Sequence, residues 1–216
     1  MPRPLTIDFV SDVVCPWCVI GLRSLETALA RAADVVTAEI RFHPFELNPA
    51  MPPEGENIVE HIGRKYGATP EQSAATRAMI RERAAEFGFT MAMTDDSRIY
   101  NTFDAHRLLH WAGLNGGQHA LKMALFTAYF TEGRNPGDRA VLLAAAEQAG
   151  LDAAAAARVL EDGRYGQEVR AEETLWQSRG INAVPAIVLE GRYLISGGQP
   201  PEAFEQALRQ IAADAA

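Results

Sequence analysis

Cys15-Pro16-Trp17-Cys18 is the stretch that indicates the fold of this 216-residue chain, and it contains both of its cysteines. A structural disulfide stabilises mainly by closing a long loop, and a bond between these two positions would close almost none. In a reducing compartment, a closely spaced cysteine pair is typically catalytic or metal-binding. The pair therefore predicts a reactive site rather than a structural crosslink.

The residues on either side of the pair predict a strand, a helix and a second strand. Apolar and polar residues alternate over 5–10 and again over 38–47, whereas apolar residues recur at helical spacing from about Pro16 to Ala33. Pro16 falls in the first helical turn, where its missing N–H costs nothing. Cys15 is thus placed at the helix N-terminus, where unpaired N–H groups and the helix dipole favour a thiolate.

These positions predict different roles for the two thiols. Cys15 is expected to be an exposed nucleophile, because the thiolate is the attacking species in disulfide exchange. Cys18 lies one helical turn further on the same side, so it is expected to attack the mixed disulfide formed at Cys15 and release the product. Pro16 and Trp17 are expected to tune the stability of the thiolate.

The rest of the chain predicts an α/β fold interrupted by a large all-helical insertion. After a turn-rich segment at 48–55, about a hundred residues have helical patterns, including a helix that Thr69 caps and Pro70 begins. The last third has a helix over 165–179, a strand after Val184-Pro185, a hairpin partner and a final helix. The predicted units are 1–55 and 164–216, forming one α/β domain, and the insertion 56–163. The helical segments inside the insertion are predicted over 57–66, from 70 onward, 98–112, 117–131, 138–149 and 153–162.

Charge and hydropathy exclude several partner classes. The formal net charge is −8, and no dense run of Lys and Arg is present, so neither nucleic acid nor an anionic membrane is expected as a partner. No segment is apolar enough to span a bilayer, and the first residues do not resemble a secretory signal. A cytoplasmic location is therefore expected.

A zinc site is the main alternative for the cysteine pair considered by itself. Such a site needs two further ligands, and only His106 and His110 have suggestive spacing, one helical turn apart. Helical histidines are more often packing or surface residues, so no metal is predicted. A second alternative treats the two cysteines as small buried apolar residues.

The sequence resembles the DsbA-like thioredoxin superfamily, and within it the FrnE-like oxidoreductases. The resemblance is carried by residues 9–18, by Ala183-Val184-Pro185-Ala186, by 195–200 and by 101–108. It implies a thioredoxin fold with a helical insertion, and a cis Val184–Pro185 bond beside the dithiol. It also implies that the backbone of Val184 pairs with an extended substrate polypeptide along a flat, partly apolar rim that includes Trp17.

The resemblance has one departure from the family pattern. Related proteins commonly keep a buried acid six residues before the first cysteine, where this chain has Phe9. Asp8 and Asp12 are near in sequence, but no proton-relay acid is assigned.

The expected function is thiol–disulfide exchange on protein or peptide substrates, with Cys15 and Cys18 catalytic and Pro16, Trp17, Val184 and Pro185 contacting the substrate. No cofactor is expected beyond the redox-active pair, with glutathione as a candidate reductant, and both a monomer and a homodimer remain open. The alternative is a glutathione-dependent transferase or a 2-hydroxychromene-2-carboxylate isomerase. Those enzymes resemble this chain but generally have a serine where Cys15 stands.

Overall fold

The computed structural model describes residues 1–214 and has an α/β architecture. In chain order, the strands are β1 (Arg3–Ser11), β2 (Val36–Pro44), β3 (Glu56–Asn57), β4 (Arg98–Ile99), β5 (Ala186–Leu189) and β6 (Tyr193–Ser196). The helices are α1 (Pro16–Arg31), α2 (Ile58–Tyr66), α3 (Pro70–Glu86), α4 (Phe103–Leu114), α5 (Gln118–Phe126), α6 (Arg139–Gln148), α7 (Ala153–Glu161), α8 (Gly166–Ser178) and α9 (Pro201–Ala213).

The main sheet has four strands in the order β2-β1-β5-β6. β1 pairs in parallel with β2, with Phe9 opposite Phe42, and antiparallel with β5, with Ile7 opposite Leu189. A parallel pair requires a crossover connection, and α1 supplies it. The predicted strand-helix-strand opening is therefore confirmed, as is the hairpin that joins β5 and β6.

Both faces of the sheet are covered by apolar side chains. Leu22 and Leu25 of α1 and Phe204 of α9 are fully buried in the core that contains Ile7 and Phe9 of β1. The opposite face forms a smaller cluster, in which Trp176 of α8 packs with Val10, Phe45, Ile181 and Val188. This layering places the N-terminus of α1 at one end of β1, where the chain leaves the sheet.

Helices α2 to α7 lie in the chain between β2 and α8, which confirms the helical interruption of the α/β fold. The predicted capping box of α3 is present: Thr69 Oγ1 accepts from the Gln72 N–H at 3.3 Å, and Gln72 Oε1 accepts from the Thr69 N–H at 2.9 Å. α4 and α5 pack against each other and against β2. The exact borders of the predicted units 1–55, 56–163 and 164–216 stay predictions.

Two local predictions within the insertion were wrong in detail. The helix expected over 98–112 begins at Phe103, whose N–H binds Asn101 Oδ1 at 2.9 Å, and Arg98–Ile99 instead pairs with Glu56–Asn57. The Arg98 side chain donates to the carbonyls of Glu54 and Gly55, which holds this segment extended. The helix expected over 117–131 is α-helical only to Phe126 and then continues as a π-helical turn over Thr127–Thr131.

None of the helices within residues 1–214 combines the length and the apolar character that crossing a membrane requires.

Candidate active site

The two cysteines lie at the start of α1. Cys15 is the N-cap residue, Pro16 is the first helical residue, and the Cys18 N–H donates to the Cys15 carbonyl at 3.0 Å. Both cysteines are free thiols in the structure. The predicted placement of Cys15 at the N-terminus of α1 is therefore confirmed.

Cys18 is fully buried in the core behind Cys15. Burial raises the pKa of the Cys18 thiol well above its usual range, and the adjacent Cys15 raises it further. The ammonium group of Lys122 acts in the opposite direction and lowers this pKa. Cys18 is therefore a neutral thiol at neutral pH. A neutral, buried thiol is suited to react second, after Cys15.

Val184 and Pro185 lie beside the dithiol although they are far from it in sequence. The Cys15 thiol donates to the Val184 carbonyl oxygen with a sulfur–oxygen distance of 3.7 Å, and the Val184–Pro185 peptide bond is cis. Pro185 packs against α1 at Gly21, where a Cβ atom would lie 3.1 Å from Pro185 Cγ. The absence of a side chain at Gly21 is what lets Pro185 approach this helix.

The expected exposure of Cys15 was wrong, because only 4% of this residue is accessible to solvent. The thiol instead borders a cavity of about 400 Å³ that lies between the start of α1 and the helical insertion. Pro16, Trp17 and Val184 line this cavity with Cys15, whereas Pro185 and Cys18 do not. The flat substrate rim expected from the resemblance is therefore replaced by a recess, because residues of α2 and α3 close over it.

A buried polar cluster that sequence analysis did not assign lies near Cys18. Asp12 is fully buried, and its carboxylate accepts from the Leu47 N–H at 2.8 Å and lies 3.3 Å from His106 Nε2. Burial raises the pKa of Asp12, but the hydrogen bond and charge of His106, together with hydrogen bonds from Leu47 and Thr102, outweigh this and hold the pKa below its usual value. The carboxylate is therefore ionised at neutral pH.

Lys122 of α5 is the third member of this cluster. Only 1% of it is exposed, and burial lowers the pKa of its ammonium group to about 8, against the opposing charges of Cys18 and Asp12. Its ammonium group lies 5.1 Å from the centre of the Phe126 ring. A lone lysine in the apolar run Leu121-Lys122-Met123-Ala124-Leu125 is a sequence signal that could have identified it.

The two histidines considered as metal ligands have carboxylate partners instead. His106 binds Asp12, and His110 Nδ1 lies 3.1 Å from Glu172 Oε1. Within residues 1–214, no three His, Cys, Asp or Glu side chains are arranged so that they could hold a metal ion. Both histidines line a second cavity of about 390 Å³ between β2, α4 and α5, which shares no lining residue with the cavity at Cys15.

Comparison with known proteins agrees with this arrangement over nearly the whole chain. Residues 6–209 match the model of the DSBA-like thioredoxin domain. A solved structure of a probable DsbA oxidoreductase from Streptomyces coelicolor is 35% identical, with a TM-score of 0.90 over 97% of this chain and 90% of that one. An uncharacterised protein, YwbO, from Bacillus subtilis is 28% identical over 94% of both chains.

A more distant solved structure shares the fold alone. The 2-hydroxychromene-2-carboxylate isomerase is 17% identical, with a TM-score of 0.72 over 98% of this chain and 99% of that one. Its likeness extends through the helical insertion as well as the sheet. The family match and the 35% identical structure, together with the placement of the dithiol beside a cis-proline, establish that this chain belongs to the DsbA-like thioredoxin domain family.

Proposed function

We propose that this protein catalyses thiol–disulfide exchange, with Cys15 as the attacking thiol and Cys18 as the resolving thiol. The observation that carries the proposal is the position of Cys15, which caps α1 and contacts the carbonyl of Val184 next to the cis-proline. The burial of Cys18 supports its later role, because it keeps the second thiol neutral during the first step.

The exchange proceeds in two successive displacements at sulfur. The Cys15 thiolate attacks one sulfur of a disulfide, a new S–S bond forms, and the first substrate sulfur leaves as a thiolate that takes up a proton. Cys18 then loses its proton and attacks Cys15 Sγ, and the second substrate sulfur leaves in the same way. Two electrons and two protons pass from the dithiol to the substrate, and the reverse sequence oxidises a substrate dithiol.

The substrates proposed from the sequence are protein or peptide thiols and disulfides, with glutathione as a candidate reductant of the Cys15–Cys18 disulfide. In this proposal Trp17 and Val184, which line the cavity, contact the substrate directly. Pro16, which also lines the cavity, is proposed to contact the substrate with them, and Pro185 is proposed to hold Val184 in place. We also propose a cytoplasmic location, which fractionation of cells with an antibody to the protein tests.

Single cysteine variants test the catalytic proposal. Cys15→Ser is expected to abolish exchange, whereas Cys18→Ser is expected to accumulate mixed disulfides between Cys15 and the substrate, visible by mass. Full exchange activity in the Cys15→Ser protein would overturn the proposal. A redox titration of the Cys15–Cys18 pair in glutathione buffers then gives the direction of electron transfer. A reduction potential of about −120 to about −180 mV indicates an oxidase or isomerase, and one of about −270 mV indicates a reductase.

A second candidate is a glutathione-dependent reaction on a small molecule, similar to that of a transferase or isomerase. The recess beside Cys15 favours it, because 400 Å³ is within the range of small-molecule sites. Such a reaction needs one sulfur rather than two. Isomerase or conjugation activity that persists in the Cys18→Ser protein would support this candidate over exchange.

A further inference from the structure

The cavity at Cys15 limits what can reach the thiol. Cys15 is 4% exposed, and the open space beside it amounts to about 400 Å³. A folded protein partner typically contacts a surface of about 800 Å² on each side. Because Cys15 lies in a recess instead of on such a surface, a disulfide must enter the cavity before its sulfur can meet Cys15 Sγ.

The walls of this cavity are predominantly apolar. Six buried or half-buried aliphatic and thioether side chains from α2, α3 and the segment before α4 line it: Ile58, Ile62, Ile80, Met91, Met93 and Ile99. Water gains few hydrogen bonds against such walls, so an apolar group that displaces it is favoured. The two methionines have flexible, polarizable side chains that adapt to different shapes. The space next to the reacting sulfur therefore suits an apolar body, aliphatic or aromatic.

The charged residues of the cavity all have one sign. Lys65, Arg77 and Arg81 line it, and its lining contains no Asp or Glu. This bias is opposite to the net charge of the whole chain, which is −8. A site lined by one sign of charge attracts ligands of the other sign and selects against those of its own.

Two of these three cations are not neutralised by the protein. Arg77 is paired with Asp95, but Lys65 Nζ donates to the Leu47 carbonyl at 2.9 Å and to Asn48 Oδ1 at 2.7 Å, both neutral oxygens. Arg81 donates to the Met93 carbonyl at 2.9 Å. Neither Lys65 nor Arg81 has a carboxylate within 4.0 Å among the residues that the structure describes. Both side chains are exposed, so their charges lie where the cavity opens to solvent.

We infer that the cavity binds low-molecular-weight thiols and disulfides that combine an apolar body with a carboxylate, which Lys65 and Arg81 hold at the opening. The inference rests on the proposed function for its covalent step, but its binding step can be measured separately. Cys15 Sγ bonds to one sulfur of the disulfide, the S–S bond breaks, and the released anionic thiolate takes a proton from water. Cys18 then displaces the second thiol, so that the substrate gains two electrons and two protons in total.

A pair of unreactive ligands tests the binding step. 4-(Methylsulfanyl)benzoate and its methyl ester share the aromatic thioether and differ in charge, and calorimetry gives the dissociation constant of each. We expect the wild-type protein to bind the acid about fivefold more tightly than the ester, since an accessible charge pair has a modest effect. In the double variant Lys65→Gln/Arg81→Gln, that preference should vanish while the ester binds as before.

Arg83→Gln is the matched control, because Arg83 lies two residues from Arg81 on α3, is exposed, and is paired with Glu86 outside the cavity. It should keep the preference for the acid. Failure of the wild-type protein to prefer the acid, or an unchanged preference in the double variant, would overturn the inference. A loss in Arg83→Gln of about half or more of the loss in the double variant would also overturn it, because Arg83→Gln removes one of two charges and the effect would then follow net charge.

The exchange step is measured with two reactive disulfides. 5,5′-Dithiobis(2-nitrobenzoate) is anionic and 2,2′-dithiodipyridine is neutral, and each is compared only with itself across variants, so that their intrinsic reactivities cancel. The double variant should slow the anionic reagent about tenfold at low salt and leave the neutral one within about twofold. Equal slowing of both reagents would contradict charge selection.

The two proposals fail in different ways in these experiments. If neither reagent oxidises the Cys15–Cys18 pair of the wild-type protein, the proposed function is wrong, and calorimetry still decides whether the anion-selective cavity exists. If both reagents react but a folded disulfide protein is reduced faster than either, the small-substrate inference is wrong and exchange stands.

Discussion

Asp12 and His106 connect the α/β part of the molecule to the helical insertion: Asp12 Oδ1 lies 3.3 Å from His106 Nε2, and both side chains are buried. Asp12 belongs to the loop between β1 and α1, whereas His106 belongs to α4 of the insertion. The buried acid that related proteins place six residues before the first cysteine is replaced here by Phe9. In this protein, the buried carboxylate near the dithiol is that of Asp12, in the loop after β1, and not that of a residue at position 9 within β1.

Loss of the Asp12 carboxylate should destabilise the protein. In Asp12→Ala, both His106 and the Leu47 N–H lose a buried partner, and we expect the free energy of unfolding to fall by about 3 kcal/mol. Asp12→Asn keeps an oxygen that can accept from the Leu47 N–H, so the free energy of unfolding of this variant should fall by only about 1 kcal/mol. Urea unfolding at pH 7 gives both values. Equal losses in the two variants would contradict this account of the pair.

Lys122→Met should slow the second step of exchange. The Lys122 ammonium lowers the pKa of the Cys18 thiol, so its removal leaves that thiol harder to ionise. This effect belongs to pH values below about 8, where the Lys122 ammonium keeps its proton. At pH 7, release of the substrate thiol from the mixed disulfide should therefore be slower in Lys122→Met than in the wild-type protein, because a smaller fraction of Cys18 is the attacking thiolate, and stopped-flow kinetics measures this rate.

Leu125→Met is the control for this substitution, because Leu125 is also fully buried on α5 but carries no charge. It should leave the rate of resolution at pH 7 unchanged. An equal rate in Lys122→Met and in the wild-type protein would show that Lys122 does not assist the ionisation of Cys18.

The same Lys122→Met change should increase stability at neutral pH. The pKa of Lys122 falls from 10.5 to about 8 on folding, so between these values the unfolded chain binds the proton more strongly than the folded one. The stability of the wild-type protein therefore rises as pH increases from about 8 to 10.5, and the buried charge costs most below pH 8. We expect Lys122→Met to be about 2 kcal/mol more stable at pH 7 and to lose this advantage by pH 10.5. Urea unfolding across this range measures it; an advantage that does not change with pH would indicate packing instead of charge.

Gly21 and Gly63 should respond differently to the same substitution. Alanine at Gly63 of α2 has only the Ala68 carbonyl oxygen at 3.4 Å near its Cβ atom, so it should stabilise the helix by about 1 kcal/mol. At Gly21 a Cβ atom would lie 3.1 Å from Pro185 Cγ and 3.3 Å from Gly198 Cα, which offsets the gain in helix propensity. Thermal unfolding of the two variants compares them. Equal stabilisation would show that Pro185 moves away from α1 without cost.

Prediction from sequence succeeded where the signals were local. The alternation of β1, the helical spacing after Pro16 and the Thr69 capping box each depend on neighbouring residues, and each is present in the structure. The position of Val184 beside Cys15 came from resemblance, since no local pattern joins two residues so far apart. Local sequence patterns therefore predicted most elements of the α/β fold and the position of the two thiols at the start of α1.

The burial of Cys15 and the Asp12 cluster could not be predicted in this way. Cys15 borders a cavity that Ile58 and Ile80 also line, and both isoleucines belong to the insertion, more than 40 positions away in the sequence. Asp12 and His106 are separated by 94 positions, and a hydrogen bond between such distant side chains leaves no periodic signal in the sequence. The surroundings of Cys15 and Asp12 depend on how distant elements pack, so they can be determined only from the three-dimensional structure.

Glu172 should stabilise the fold at mildly acidic pH and lose this effect at low pH. Burial raises the pKa of Glu172, but its contacts with His110 at 3.1 Å and His43 at 3.3 Å outweigh this and lower the pKa from 4.5 to about 2. Because the folded pKa is below the unfolded one, the stabilisation is present above pH 4.5 and is lost as pH falls towards 2. Glu172→Gln should therefore reduce the free energy of unfolding by about 2 kcal/mol at pH 5.5 and by much less near pH 2.5. Glu168→Gln, an exposed position one turn earlier on α8, should change stability by less than about 0.5 kcal/mol at either pH. If urea unfolding shows the same difference for Glu172→Gln at both pH values, the carboxylate does not act through its charge on the two imidazoles.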